Sequence, residues 1–197
     1  MKKLLFFLMF LLLTLSSCAQ EVSGLKVIST PYFTVSYSEK LEQPVVVSYM
    51  VMCFEGDFKR DGLDFYTNDS IHTSDNEDYK NNVWDKGHLA PAADFNCDEK
   101  ALKSTFTYLN CALQHQDLNR QTWRYLESKE RDLAAVNKTV YVEIEILFND
   151  SCTVLPTGAT VPYAFKKTIY IDDMMWGSYI FKNEKPTSKN YEDYRVQ

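Results

Sequence analysis

The sequence predicts an α+β protein in which helices flank an antiparallel β-sheet. Several segments alternate apolar and polar residues or are rich in β-branched residues, which is typical of strands. Two further segments have the caps and apolar stripes of helices, and helices packed on such strands give an α+β fold. The composition is that of a globular domain, since 45% of the 197 residues are hydrophobic and 14% are aromatic.

The net charge limits the kinds of molecule that the protein is expected to bind. The chain carries a formal charge of −6 at pH 7. This balance argues against a broadly basic surface that would follow nucleic-acid phosphates by charge alone, but it leaves room for a local basic pocket.

The first residues have the pattern of an export signal. Lys2 and Lys3 precede an apolar run of ten residues, 4–13, which is too short to span a bilayer stably. The segment that follows, Leu-Ser-Ser-Cys ending at Cys18, resembles the lipobox of bacterial lipoproteins. The resemblance implies cleavage before Cys18 and a lipid on Cys18 that anchors an exported protein to a membrane, facing the periplasm or the cell surface. An ordinary signal peptide with a coincidental cysteine is the alternative.

These signals divide the chain into three parts. Residues 1–17 are predicted to be a lipoprotein signal peptide, residues 18–30 a tether, and residues 31–197 a single folded domain.

The first half of the domain is predicted to contain three extended segments. Residues 33–37 alternate as a half-buried strand does, and residues 45–52 form a β-branched run typical of a buried strand. Residues 55–82 are polar and predicted to be mostly loop. Residues 83–89 are predicted to be extended up to Pro91.

The second half is predicted to contain two helices and three strands. Asp98 is expected to cap a helix over residues 99–108. The second helix is predicted from Asp117, as its cap, to about Val136. The predicted strands are 140–148, 164–171 and 179–182.

Four cysteines follow Cys18, and export would place them in a compartment that permits disulfides. They are Cys53, Cys97, Cys111 and Cys152, which allow three pairings between which the sequence does not choose. Buried free thiols are the alternative. Their spacing and the presence of only three histidines argue against a structural zinc site.

The segment most informative about chemistry surrounds His88. His88 follows Lys86 with Gly87 between them, and a glycine there allows a tight backbone bend and close approach of a ligand. An exposed imidazole could take a proton from water, and a lysine could hold a phosphate oxygen. Without further context, a single histidine in a loop is more often structural than catalytic.

A second set of polar residues lies on the long predicted helix. Asn119, Trp123, Glu127 and Arg131 are spaced by four and share one helix face. The Asn119 amide oxygen and the Glu127 carboxylate are hard-oxygen ligands suited to Mg²⁺. They would lie about 12 Å apart along the helix axis, so at least one must act through water. The alternative is an ordinary helix with a Glu127–Arg131 ion pair.

Together the two segments resemble a known enzyme family. The first reads W-D-K-G-H-L-A-P-A-A-D over residues 84–94, and the second has Phe106, Asn110, Gln114, Leu118, Asn119, Trp123, Leu126, Glu127 and Arg131 in register. Both resemble the DNA/RNA non-specific endonucleases, a ββα-metal group that includes endonuclease G. The resemblance covers roughly residues 31–195.

The resemblance implies a Mg²⁺-dependent endonuclease that cleaves DNA and RNA without sequence specificity. His88 would be the general base that activates water. Asn119 would be the sole direct protein ligand of one Mg²⁺, with Mn²⁺ as a second suitable ion, and Glu127 would orient a metal-bound water. Asn110 would hold the histidine or the scissile phosphate in place.

Two cations complete the implied site. Lys86 stands where the family usually has arginine, and Arg60 matches a further phosphate-contacting arginine of the family. Because a lysine cannot make the two-pronged contact of an arginine with phosphate, the change at Lys86 is not conservative.

The chain departs from the family pattern at three other places. Leu113 replaces a proline, residues 144–146 replace a Thr-Gly-Pro sequence, and the domain is expected to end before a closing segment of the family. One alternative function is therefore a catalytically impaired nuclease fold that acts as a nucleic-acid-binding or interaction lipoprotein. Another is a surface lipoprotein of unrelated role in which the motif is accidental.

Overall fold

The computed structural model of the chain describes residues 24–137 and 139–197. The predicted signal peptide and the lipidation site at Cys18 lie outside the described residues. In the part that is described, a six-stranded antiparallel sheet and a two-stranded antiparallel ribbon are packed together with a long helix. The predicted α+β class is therefore confirmed.

The large sheet has the strand order β1-β2-β3-β6-β7-β8, and every neighbouring pair is antiparallel. Its strands are β1 (Lys26–Ser29), β2 (Phe33–Ser38), β3 (Gln43–Met50), β6 (Val140–Leu147), β7 (Ala164–Ile171) and β8 (Met174–Lys182).

Two strands differ most from the sequence predictions, and β3 is shifted by two residues from the predicted 45–52. The tether was predicted to reach residue 30, but Lys26–Ser29 pairs with β2 as an edge strand, with Ile28 opposite Val35. This short exposed strand has no apolar alternation of its own, and its structure comes from hydrogen bonds to its neighbour. β8 begins at Met174, five residues earlier than predicted, because its first residues pair with the end of β7.

One face of the sheet carries the main core. The alternation predicted for β6 is present, since Val142 and Ile144 are buried while Glu143 and Glu145 lie on the opposite face. Trp123 from the long helix packs against this core. Burying such side chains is the main favourable contribution to folding.

The two-stranded ribbon is formed by β4 (Trp84–His88) and β5 (Cys111–His115). His88 pairs with Cys111 at one end, and Lys86 pairs with Leu113. Helix α1 (Glu99–Ser104) belongs to the segment that connects these two strands in the sequence, and it begins after the predicted cap Asp98. Helix α1 is shorter than predicted, because the chain turns at Thr107, whose side chain accepts a hydrogen bond from the Leu109 amide.

The long helix runs from Gln116 to Ala134 in three parts: α2 (Gln116–Leu118), a π-helical turn (Asn119–Trp123) and α3 (Arg124–Ala134). Asp117 was predicted as its cap, but the cap is His115, whose Nδ1 accepts from the Asp117 amide at 3.2 Å. The π-helical turn was not predicted; such turns are rare and often occur at functional sites.

A disulfide joins Cys53 and Cys97, while Cys111 and Cys152 are free. It connects the segment that follows β3 to the loop before α1. Residues 55–82 are mostly irregular as predicted, with one short 3-10 turn at Asn76–Tyr79. Among the residues that the structure describes, no helix is both long and apolar enough to cross a bilayer.

Candidate active site

A cleft of about 940 Å³ lies where the ribbon, the long helix and the loop of residues 58–65 meet. Five of the six predicted site residues in the folded domain line it: Arg60, Lys86, His88, Asn119 and Glu127. The sixth, Asn110, does not. A structure with His88 and Asn119 on opposite sides of the molecule would have contradicted the predicted site, and their common cleft makes an accidental motif untenable.

His88 lies at the end of β4 and packs against two aromatic rings that also contact each other. The ring centroids of Phe65 and Phe106 lie 4.6 and 4.8 Å from that of His88. Its Nε2 atom is buried and has no hydrogen-bond partner among the described residues. Burial, together with the positive charge of Arg60, lowers the pKa of His88 to about 3. The imidazole is therefore neutral at pH 7 and able to accept a proton.

Asn110 fixes the backbone that follows His88. Its Oδ1 accepts from the Ala90 amide at 2.8 Å, and its Nδ2 donates to the carbonyl oxygens of Ala90 at 2.9 Å and Thr105 at 3.0 Å. The main-chain oxygen of Asn110 accepts from the Leu89 amide. Asn110 is fully buried and does not line the cleft, so its contacts favour the expectation that it positions the histidine over the expectation that it holds the phosphate.

Gly87 has a different structural role from the expected one. It lies inside β4, not in a tight bend, and its φ is not positive. A Cβ atom at this position would come within 2.5 Å of the Gln114 side chain on β5. A glycine is therefore needed for close packing of the two ribbon strands.

Asn119 begins the π-helical turn and is oriented by Asp85. Its Nδ2 donates to Asp85 Oδ2 at 2.9 Å. The Arg120 guanidinium donates two hydrogen bonds to the same carboxylate, from Nε at 2.9 Å and from a terminal nitrogen at 2.7 Å. No role was predicted for Asp85, although its place inside the W-D-K-G-H segment was the available signal. Because the nitrogen of the Asn119 amide is engaged by Asp85, its oxygen is left for another ligand.

Glu127 lies on α3, two helical turns beyond Asn119, and is half-buried at the cleft wall. Burial raises the pKa of Glu127 to about 7, although Lys167 opposes the effect. The alternative Glu127–Arg131 pair is not formed, because Arg131 donates to the buried Asp94 at 2.8 Å. Trp123, the fourth member of the predicted face, is buried in the core.

A buried ion pair supports the helix behind Glu127. Lys167 Nζ lies 2.7 Å from Glu130 Oε1, and both side chains are fully buried. The Tyr49 hydroxyl donates to the other Glu130 oxygen at 2.6 Å. Such a pair is costly to desolvate and requires this complete set of partners. It fixes α3 against the sheet and so sets the position of Glu127.

Lys86 is already paired in this structure. Its Nζ lies 2.9 Å from Asp64 Oδ1. The same Nζ lies over two aromatic rings, 5.6 Å from the ring centroid of Phe65 and 5.5 Å from that of Tyr108. Asp64 is largely exposed. The ammonium group that was expected to meet phosphate therefore faces a carboxylate at the border of the cleft.

The cleft is basic even though the chain is acidic. Its lining contains two carboxylates, Asp61 and Glu127. Against them stand six cationic side chains: Lys59, Arg60, Lys86, Arg120, Arg124 and Arg131. Three of the six are paired with the carboxylates of Asp64, Asp85 and Asp94, and Lys59, Arg60 and Arg124 have no salt bridge within the described part of the chain. This is the local basic pocket that the net charge left open, and a polyanion would be drawn to it.

The donors in the cleft fit a hydrated hard cation. Within residues 24–137 and 139–197, no group of three or more His, Cys, Asp or Glu side chains could hold a metal ion. A site with only one direct protein ligand needs no such group. Mg²⁺ keeps most of its water shell in proteins, and the free Asn119 oxygen with the nearby Glu127 carboxylate suits an ion of that kind.

The fold is that of the ββα-metal nucleases. A solved structure of an EndoG/EndoGI complex superimposes with a TM-score of 0.78 at 26% identity, covering 87% of this chain and 80% of the other. The chain belongs to the DNA/RNA non-specific endonuclease family, whose sequence model matches residues 16–197.

Named relatives match shorter parts of the chain. Mitochondrial endonuclease G of Bos taurus is 39% identical over 90 residues, which is 44% of this chain and 30% of that protein. Nuclease C1 of Cunninghamella echinulata var. echinulata is 30% identical over 135 residues, which is 61% of this chain and 54% of that protein. The matched parts thus amount to 30% and 54% of the length of these two relatives.

Proposed function

We propose that this protein is a Mg²⁺-dependent nuclease that hydrolyses phosphodiester bonds in DNA and RNA without sequence specificity. The observation that carries the proposal is the common cleft of His88 and Asn119. His88 offers an imidazole nitrogen and Asn119 an amide oxygen, neither of which has a hydrogen-bond partner among the described residues, and cationic side chains line the same cleft. Cations bind the phosphate backbone, which is the same for every base sequence, so specificity for sequence is not expected.

His88 acts as the general base in this proposal. It accepts a proton from a water molecule as the water oxygen forms a bond to phosphorus and one ester P–O bond breaks. Because Arg60 lowers the pKa of His88, a phosphate bound beside Arg60 would offset that charge and raise the basicity of the imidazole. Phe65 and Phe106 hold the ring in place.

Asn119 would hold the metal ion directly and Glu127 would hold it through water. When bound, Mg²⁺ would supply positive charge that stabilises the negative charge on the phosphate and the leaving oxygen. Asp85 keeps the Asn119 amide oriented, and the Lys167–Glu130 pair keeps α3 in position. Arg60 and Lys86 are proposed to bind phosphate oxygens.

Export and lipid anchoring at Cys18 are part of the proposal. The charged and apolar start of the chain supports them, as does the Cys53–Cys97 disulfide, since disulfides persist mainly in oxidising compartments. Labelling of cells with a radioactive fatty acid should mark the wild type and not Cys18→Ala. Equal labelling of both would refute the anchor.

A second candidate function is nucleic-acid binding without cleavage. The Lys86–Asp64 pair favours it, because this cation is engaged by a carboxylate where the family usually has an arginine. Such a protein would shift nucleic acid in a gel in the presence of Mg²⁺ and leave it intact.

The deciding experiment is digestion of plasmid DNA and of RNA with Mg²⁺, with EDTA, and with two variants. We expect the wild type to degrade both nucleic acids with Mg²⁺ only. His88→Ala should lose about 10²- to 10⁴-fold in rate, the usual contribution of a general base. His72→Ala is the matched control, because His72 is exposed and pairs with Glu42 away from the cleft. No cleavage by the wild type with either Mg²⁺ or Mn²⁺, or full activity in His88→Ala, would overturn the proposal.

A further inference from the structure

The outer edge of β5 pairs with two side-chain amides instead of with a third strand. β5 is hydrogen-bonded to β4 on one side only. On its other side the Leu113 amide donates to Gln43 Oε1 at 3.0 Å, and Asn183 Nδ2 donates to the Leu113 carbonyl oxygen at 2.8 Å. Asn183 Oδ1 also accepts from the His115 amide at 2.8 Å. These three bonds use the backbone groups that a strand edge leaves unpaired.

Both amides belong to the large sheet. Gln43 is the first residue of β3 and is fully buried, and Asn183 directly follows β8 and is 8% exposed. Gln43 Nε2 donates to the Glu42 carbonyl oxygen at 2.7 Å, and Asn183 Nδ2 donates to the Pro162 carbonyl oxygen at 2.9 Å. Each side chain is therefore fixed by the chain around the large sheet while it holds the ribbon.

The bond from Leu113 to Gln43 depends on which residue occupies position 113. Leu113 stands where the family pattern has a proline. A proline has no backbone N–H and could not donate to Gln43. The departure from the family pattern at this position therefore adds a hydrogen bond between the ribbon and the large sheet in this chain.

The ribbon and the large sheet carry different parts of the proposed site. His88 lies on β4, and so does Asp85, which orients Asn119. Glu127 lies on α3, which a buried ion pair fixes to β7. The distance from the proposed general base to Glu127 consequently depends on how the ribbon is seated on the sheet.

Apolar packing alone would leave this seating loosely defined. Leu89, which follows β4, and Ala112 of β5 are buried in the same core as Val142 of the sheet. The hydrophobic effect is not directional, so such contacts favour close packing without selecting one position of the ribbon along the sheet. Hydrogen bonds weaken steeply with distance and angle. The bonds of Gln43 and Asn183 therefore select one position.

We propose that Gln43 and Asn183 are positioning residues, which act through the outer edge of β5 to place His88 relative to Glu127 and the metal ion. The inference rests on the proposed nuclease function and adds two residues outside the cleft to it. Misplacing a reacting group by about 1 Å can cost 10²-fold in rate. Loss of either amide should thus lower kcat, while cations on other elements still bind the phosphates and keep KM nearly constant.

The test measures kcat and KM for plasmid cleavage at saturating Mg²⁺. We expect kcat to fall about 10- to 100-fold in Asn183→Ala, which loses two of the three bonds to β5, and about 3- to 10-fold in Gln43→Met, which loses one. KM should stay within about twofold of the wild-type value. Because methionine nearly matches glutamine in volume, Gln43→Met decides the question if Asn183→Ala does not fold.

Ser178→Ala is the matched control for a merely structural role. It removes a buried hydroxyl that lies 3.0 Å from Thr168 Oγ1 inside the large sheet, with no contact to the ribbon. Thermal unfolding followed by circular dichroism should show a loss of stability in this variant as in the other two. Its kcat should equal that of the wild type, because the seating of the ribbon is unchanged.

Three results would overturn the inference: a wild-type kcat in folded Gln43→Met, a loss of activity that lies entirely in KM, or an equal loss of kcat in Ser178→Ala. A wild type that cleaves, together with variants of unchanged kcat, defeats only the positioning role. A wild type that cleaves nothing defeats the proposed function, and the positioning role with it.

Discussion

The side-chain amide of Asn119 donates to Asp85 Oδ2 at 2.9 Å, which links the first turn of the long helix to the strand that carries His88. Asp85 is itself fixed by two hydrogen bonds from Arg120. Since an amide presents its nitrogen and oxygen on different sides, the bond to Asp85 determines where the Asn119 oxygen points. The relative position of the helix and the ribbon is thereby coupled to the orientation of the predicted metal ligand.

Removal of Asp85 tests this coupling. In Asp85→Ala the Asn119 amide loses its partner and can rotate, so Mn²⁺ affinity should fall about 10- to 100-fold, the usual effect of losing a residue that orients a ligand. Isothermal titration with Mn²⁺ measures the change. Asp69→Ala removes an exposed carboxylate elsewhere and should bind as the wild type does. Unchanged Mn²⁺ affinity in a folded Asp85→Ala protein would show that Asp85 does not orient the ligand.

The Lys86–Asp64 pair should compete with phosphate for the lysine. Asp64→Asn removes the opposing charge, and an exposed ion pair is worth about 0.2–1 kcal/mol, so KM for DNA should fall up to about fivefold with little change in kcat. Glu77→Gln, which breaks the exposed Glu77–Lys80 pair outside the cleft, is the control. A KM that stays constant or rises in Asp64→Asn would mean that Lys86 does not contact the substrate.

The raised pKa of Glu127 predicts that the affinity of the site for a metal ion depends on pH. Burial raises its pKa to about 7, so the carboxyl is increasingly protonated as pH falls below 7, and protons then compete with the cation. Mn²⁺ affinity should therefore be lower at pH 6 than at pH 8, by up to about tenfold per pH unit below the pKa. The Glu127→Gln variant should bind more weakly and show a flatter profile. If wild-type affinity is the same at both pH values, Glu127 takes no part in binding.

The features that local patterns determine were predictable from the sequence. Alternation identified β6, and of the four helix residues predicted to share a face, Asn119, Glu127 and Arg131 do line the cleft, whereas Trp123 is buried in the core. The ribbon strand around His88 was also predicted as extended, and the structure confirms it.

The features that arise from contacts between distant segments were not predictable in this way. β1 exists because β2 offers it hydrogen bonds, and Asp85 acquires its role only when the helix meets the ribbon. Asp64 and Lys86 are 22 positions apart in the sequence, and only the fold brings them together. The Cys53–Cys97 pairing likewise depends on the fold, since the sequence allowed three pairings of the four cysteines.

The disulfide should contribute substantially to stability. Its cysteines are 44 residues apart, and a cross-link closing a loop of that size is worth about 2–4 kcal/mol. The Cys53→Ser/Cys97→Ser double variant should lose that much unfolding free energy in urea, and reductant should lower the stability of the wild type to match. Cys152→Ser removes a free cysteine and should change little. Equal stability of the double variant and the wild type would exclude a stabilising role.

The most direct measurement is the anomalous X-ray signal from crystals soaked in Mn²⁺, together with crystals of Asn119→Ala treated in the same way. We predict one strong peak next to Asn119 Oδ1, in the cleft that His88 also lines, and no peak there in the variant. A wild-type cleft without a peak, or a peak that persists when the Asn119 side chain is removed, would contradict the proposed metal site.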